Sequence, residues 1–256
     1  MIKTFKNFGN TCYLNSALQL LCKSNQLSGL LKDRSDVYNI FNIDSTNLIL
    51  FLKTISKDIK HMNFLQQNDA HEFIILLLDF LHEKYKETKT FNDVSKVSAY
   101  NKMVNLCNKH WYSDYSKIMD IFYLQIIFQT ECSECHYSCS NIENHSILSL
   151  ELDEVAQLGS LEDSLQTFFK RQELDEWKCD KCSNTKKNYR DNKIWRLPYN
   201  LIICVKRNKY HNGKFKKLNN LISVPNLLTL KPYTLKTYPK YEYNLHGVIN
   251  HYGESD

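Results

Sequence analysis

The sequence predicts an α+β fold in which helices come first and strands follow. Three observations carry that order. Apolar residues recur at helical spacing early in the chain, as in Leu14, Ala17, Leu18 and Leu21. From Ile121 the texture turns to short strand-like runs, which include the unbroken apolar stretch Leu201-Ile-Ile-Cys-Val205. Within that later region two Cys-x-x-Cys pairs, Cys132/Cys135 and Cys179/Cys182, stand far apart and can share one metal ion.

Each element follows in turn. The first helix begins around Cys12 and buries the face that carries Leu14, Leu18 and Leu21. A second uses Leu48, Leu52, Ile55 and Ile59. A third starts at Asp69, which caps it while Glu72 reaches back, and Ala70, Phe73, Ile74, Leu77 and Leu81 give it a broad apolar face. Residues 86–96 are polar and read as a loop, followed by a short helix into Trp111. Ser160-Leu-Glu-Asp163 opens a short capped helix bearing Leu165, Phe168 and Phe169. The Leu201–Val205 run reads as a strand buried on both faces, and Asn212-Gly213 as the turn into the basic Lys214–Lys217 stretch.

Composition excludes several classes. With 43% hydrophobic residues in 256, the chain has enough apolar mass for a core. Its longest apolar stretches, Phe73–Leu81 and Ile118–Phe128, are too short to span a membrane and are interrupted by Asp79 and Gln125. Met1 is followed by Ile-Lys-Thr-Phe-Lys with no apolar leader, so the expected location is cytoplasmic or nuclear. In a reducing compartment the paired cysteines, part of an odd total of nine, favour metal over disulfide. The net charge of +5 is spread along the chain; Lys206, Arg207, Lys209, Lys214, Lys216 and Lys217 read as a solvated hairpin face. With no zinc-finger helix spacing beside them, no nucleic-acid partner is expected, and the chain is expected to be a monomer.

The chemistry concentrates in Asn7-Phe-Gly-Asn-Thr-Cys12-Tyr-Leu-Asn-Ser-Ala-Leu-Gln19. A cysteine at the first turn of a helix meets free backbone N–H groups that favour a thiolate. Gly9 allows a sharp turn before the helix, so Asn7 can return beside Cys12 and donate its carboxamide N–H to an oxyanion. Cys12 is thus the candidate nucleophile and Asn7 the candidate oxyanion donor, with polar Thr11 and Asn15 alongside. Cys22, Cys107, Cys139 and Cys204 lack such surroundings and read as packing residues. Cys132, Cys135, Cys179 and Cys182 make a closed four-thiolate shell for a structural zinc that ties two distant hairpins together.

The Asn7–Gln19 segment resembles the cysteine box of the ubiquitin-specific proteases, the papain-like cysteine deubiquitinases. Gln66-Gln-Asn-Asp-Ala-His-Glu-Phe73 is similar to the family's second box, the two cysteine pairs to its fingers zinc site, and Leu197-Pro198 through Lys206-Arg207 to its palm strand. Tyr243-Asn-Leu-His-Gly-Val-Ile-Asn-His251-Tyr-Gly253 is similar to the strand that opens its histidine box. The resemblance implies a helical thumb over 1–120, mostly zinc fingers over 121–190, and part of a palm over 191–256. It also implies that the last palm strands and the catalytic histidine of a Gly-His-Tyr triplet lie past Asp256. The implied reaction is thiolate attack on the carbonyl of ubiquitin's C-terminal glycine, giving a thioester that water hydrolyses. His251 falls on the Tyr243, Leu245, Gly247 and Ile249 face of its strand and reads as packed, with His71 a surface or substrate-facing residue. Two other classes fit the residues: a ubiquitin-binding protein that lacks the general base, and a zinc-stabilised interaction module.

Overall fold

The first helix forms where the periodicity places it, as α1 (Cys12–Leu21), with Leu14, Ala17 and Leu18 fully buried along one face. The computed structural model describes residues 5–32, 53, 55–60, 62–64, 66–95, 97–152, 158–185, 187–211 and 214–252. Most of the helix expected over Leu48–Ile59 lies outside them, although Ile55 and Ile59 are described and buried. Asn212-Gly213 and Gly253–Asp256 also lie outside.

The chain divides into two units. The first comprises Met1–Lys89, Asp114–Phe122 and His246–Gly253. In it α1 packs on α3 (Ala70–Lys84), where Tyr13 meets Phe73 edge-on at 5.7 Å and Phe64 meets Phe73 edge-on at 6.4 Å. Asp69 caps α3, its Oδ1 accepting the His71 N–H at 2.7 Å. Between them in sequence runs α2 (Asn25–Lys32), which the pattern did not single out because Ser28 and Gly29 dilute it to a stripe of Leu27 and Leu31. A further helix, α5 (Lys117–Phe122), occupies the start of the run expected to be strand-like from Ile121. Its Ile118, Met119, Ile121 and Phe122 are all buried, a spacing that serves a helix face better than an alternating strand.

The second unit holds Thr90–Ser113 and Tyr123–Leu245. Its centre is a four-stranded sheet in the order β2-β1-β6-β5. The strands are β1 (Leu124–Glu131), β2 (Ser138–His145), β5 (Gln172–Leu174) and β6 (Asn188–Arg196), all antiparallel neighbours. The two faces of the sheet carry different cores. Leu124, Ile126 and Ile194 pack with Leu161, Leu165 and Phe169 of α6 (Leu161–Phe169), which Ser160 caps by accepting the Asp163 N–H at 3.0 Å. Ile127, Ile142 and Trp195 pack on the opposite side with Cys107 of α4 (Ala99–Tyr112). The register shift between Gln125 and Ile126 lets Gln125 donate to Asn144 Oδ1 and to the Cys107 carbonyl, so a fully buried amide N–H group is satisfied inside the sheet. α4 is a full 14-residue helix, longer than the short one expected, capped by Ser98.

Short pairs complete this unit: β3 (Leu148–Glu151) runs parallel to β7 (Ile203–Lys206), and β4 (Leu158–Ser160) parallel to β10 (Leu221–Ser223). β8 (Asn208–His211) and β9 (Lys214–Lys217) pair with His211 opposite Lys214, which leaves a two-residue connection at Asn212-Gly213. β11 (Leu227–Thr229) pairs with β12 (Glu242–Asn244). Two strand expectations are corrected. The Leu201–Val205 run is half-buried rather than enclosed, because among the described residues β7 has one ladder neighbour. The strand expected from Tyr243 to His251 ends at Asn244, and His251 is exposed rather than packed. Beyond that strand Gly247 lies so close to α1 that a Cβ would stand 2.3 Å from Leu20 Cδ2.

Candidate active site and metal centre

A tight turn precedes α1. Gly9 takes φ +109°, a left-handed value that side chains resist, and the chain doubles back there. Asn7 closes the turn with its carboxamide oxygen, which accepts Gly9 N–H at 3.1 Å, Thr11 N–H at 3.4 Å and the Thr11 hydroxyl at 3.1 Å. The Thr11 oxygen in turn accepts the Phe8 N–H at 3.1 Å. Asn7 is thereby fixed against the residue next to Cys12, and Cys12 itself is exposed at the first helical position. Behind it Ser16 Oγ donates to the Cys12 carbonyl at 2.9 Å, and Asn15 Nδ2 to the Lys6 carbonyl at 3.3 Å. The arrangement can present a thiol and an amide donor to one carbonyl from solvent.

The second box follows the same logic of local bonding. Asn68 Nδ2 donates to the Asn63 and Gln66 carbonyls, both at 2.9 Å, and shapes the approach to the Asp69 cap. His71 is half-buried in the first turn of α3.

One histidine cluster had no signal in the sequence, because its members are 32 and 34 residues apart. His82 Nδ1 meets Ser116 Oγ at 2.8 Å and its Nε2 lies 3.2 Å from Asp114 Oδ2. Ser116 is fully buried, so no substrate reaches its hydroxyl, and the cluster fastens the end of α3 to the start of α5. Lys86 Nζ sits 2.6 Å from Glu83 and 2.8 Å from Asp114, in the place a cation would take among these acids. The Lys86 hydrogen bond, with help from His82, holds the Asp114 carboxyl below its usual range. A depressed folded-state value gives stability that is complete above the unfolded carboxyl pKa and fades as pH falls through the folded one. Asp114→Asn is therefore expected to lower the melting temperature at pH 7, by a free energy of about 1 kcal/mol or less for so exposed a pair. Melts taken as the pH falls through the lowered folded-state value should show the two proteins converging.

The four paired cysteines come together at the far ends of β1, β2 and β6. All four sulfurs lie within 4.8 Å of one another, with Cys132 Sγ to Cys182 Sγ and Cys135 Sγ to Cys179 Sγ both 3.6 Å. A disulfide needs about 2.05 Å, whereas a tetrahedral thiolate shell with bonds of about 2.3 Å spaces its sulfurs by about 3.8 Å. The two knuckles share one backbone design. Cys132 N–H donates to the Tyr137 carbonyl and His136 N–H back to the Cys132 carbonyl; Cys179 pairs with Asn184 and Ser183 in the same way. His136 and Ser183 both take positive φ, 54° and 59°. Backbone N–H groups of Cys135 and Glu134 stabilise the Cys132 thiolate and bring its pKa down to about 6. Cys182 accepts the Asn184 N–H, yet burial and its three sulfur neighbours push it up to about 12. Four sulfurs at this spacing match a tetrahedral shell, and the donor set fits a soft tetrahedral ion.

Residues 4–256 match the family described as ubiquitin carboxyl-terminal hydrolase. Ubiquitin carboxyl-terminal hydrolase 4 of Arabidopsis thaliana is 29% identical over 97% of this chain and 76% of its own length. Ubiquitin carboxyl-terminal hydrolase 5 of Saccharomyces cerevisiae is 25% identical over 99% of this chain and Usp2 of Drosophila melanogaster 26% over 98%. The chain spans only 39% and 29% of those two relatives. Among solved structures, a chain of the Ubp8/Sgf11/Sus1/Sgf73 SAGA module bound to monoubiquitin superposes with a TM-score of 0.72 at 19% identity, covering 94% of this chain and 56% of that one. The same module bound to ubiquitin aldehyde gives 0.68 at 21% identity, covering 93% and 54%. At that identity the likeness is one of fold alone.

Proposed function

Because this chain belongs to the ubiquitin carboxyl-terminal hydrolase family, we propose that it is the nucleophile-bearing part of a cysteine deubiquitinase. One observation carries the reading: an exposed Cys12 opens α1 directly after a turn that Asn7 closes. The Cys12 thiolate attacks the carbonyl carbon of ubiquitin's C-terminal glycine, and the carbonyl π pair moves onto oxygen. Asn7 Nδ2 and the Cys12 N–H donate to that oxyanion. Collapse breaks the C–N bond as the departing nitrogen takes up, through solvent, the proton the thiol gave up, and leaves a thioester; water then cleaves it to the glycine carboxylate and returns the Cys12 thiol. Cys132, Cys135, Cys179 and Cys182 would hold a structural zinc, a closed shell with no open position for substrate. Residues 1–256 belong on this reading to one such domain, whose partner is ubiquitin or a ubiquitinated protein.

Ubiquitin carrying a C-terminal electrophile tests the proposal without requiring turnover. One ubiquitin is expected to attach to Cys12, and Cys12→Ser to abolish the adduct. An adduct on another cysteine, or binding of ubiquitin with no adduct, would overturn it; the second outcome would favour a ubiquitin-binding protein without catalysis.

A further inference from the structure

We infer that Thr11 is a positioning residue that sets the direction of the Asn7 carboxamide, an inference that rests on reading Asn7 as the oxyanion donor. An asparagine side chain can present either its oxygen or its NH₂ to a given spot, and only one orientation serves an oxyanion. Three donors converge on Asn7 Oδ1: Gly9 N–H at 3.1 Å, Thr11 N–H at 3.4 Å and Thr11 Oγ1 at 3.1 Å. The hydroxyl's role is fixed in turn. Its oxygen already accepts Phe8 N–H at 3.1 Å, so its proton points to Asn7. A flipped amide would set its own N–H groups against two backbone N–H donors.

Thr11 is 3% exposed while Asn7 is exposed, so the threonine is the anchored partner and the asparagine the one being aimed. Its backbone and side chain together supply two of the three bonds that turn the NH₂ group outward. Preorganised donors of this kind cost no reorganisation when charge develops. Thr11 touches no reacting atom; it acts through Asn7.

The test compares ubiquitin aldehyde with plain ubiquitin on the whole chain. Addition of Cys12 Sγ to the aldehyde carbon breaks the carbonyl π bond and forms a hemithioacetal, whose oxygen takes the thiol proton or stays charged. Thr11→Val is expected to weaken aldehyde binding about tenfold, part of the 10²–10³ that loss of a whole oxyanion donor costs. Plain ubiquitin should bind it as before. Thr11→Ser should restore the aldehyde affinity, and Thr11→Val should add nothing in an Asn7→Asp background, where no amide remains to be aimed.

A merely structural threonine would instead lose affinity for both ligands, and lose it equally with Asp at position 7. Either of those results, unchanged aldehyde binding in Thr11→Val, or failure of serine to restore it, overturns the inference. Should neither form of ubiquitin bind, the proposed function fails, and the role of Thr11 is then read from the Asn7 side-chain amide resonances. A sharp, slowly exchanging pair that broadens in Thr11→Val supports the aiming role, and a pair that does not change refutes it.

Discussion

If the four sulfurs hold the proposed zinc, the unaltered chain is expected to carry one ion, and a Cys135→Ser variant to carry almost none and to lose order around both knuckles. Serine keeps the size of the side chain but replaces a thiolate ligand with a poor one, and the three remaining sulfurs cannot close a tetrahedral shell. Structural zinc contributes roughly 10–16 kcal/mol to small zinc-finger peptides at pH 7. Here the loss should be smaller, because β1 and β6 are also held by Leu124, Ile126 and Ile194 in a separate core. Hydrogen exchange is expected to accelerate at Glu131–Ser138 and Trp177–Asn188 and to stay slow at Leu124–Ile127. Metal content by elemental analysis and peptide-resolved exchange decide the matter. Full zinc retention would mean that the four sulfurs are not the ligand set, and uniform acceleration would mean that the sheet has no stability apart from the ion.

An Asn7→Asp variant is expected to lose about 10²–10³ in affinity for ubiquitin aldehyde while melting at the temperature of the unaltered chain. Aspartate is the informative change because it separates two jobs that alanine would remove together. Its carboxylate oxygens still accept the Gly9 and Thr11 donors that close the turn. What it lacks is the NH₂ group, and its charge faces any oxyanion with repulsion. A loss of plain ubiquitin binding of the same size would show that Asn7 shapes the surface rather than the transition state. Unchanged aldehyde affinity would remove Asn7 from the chemistry.

Much of the fold was legible where local rules act alone. The α1 stripe, the Asp69 and Ser160 caps, and the two-residue spacing between β8 and β9 depend on residues within a few positions of each other. Two helices escaped. α2 hides because Ser28 and Gly29 interrupt its face, and α5 because Ile118–Phe128 is one apolar run whose first half is helix and second half strand. No periodicity divides such a run; the division comes from Tyr123 and from the distinct partners of each half. The same limit applied at the site. Spacing brought Asn7 beside the start of α1 and the four cysteines into one cluster. It said nothing of which way the Asn7 amide faces, nor that buried Thr11 holds it, since both depend on hydrogen-bond direction rather than residue type. The His251 expectation failed for a related reason. Alternation assigns faces only while a strand has a partner, and the β12 ladder ends at Asn244.

The paired knuckles also bear on how the chain assembles. Cys135 and Cys179 are 44 residues apart, and β1 must find β6 across a comparable gap, while β1 and β2 meet through a short hairpin. The hairpin can therefore form early, whereas pairing with β6 waits on a long loop to close. An ion that grips the first two sulfurs and later captures the second pair restrains that loop, by an amount equivalent to about 4 kcal/mol of chain entropy for a cross-link of this span. In a cell, the second pair leaves the ribosome well after the first. Until it does, β1 offers an unpaired edge, and metal supply at that moment bears on whether the nascent sheet closes on itself or on a neighbour.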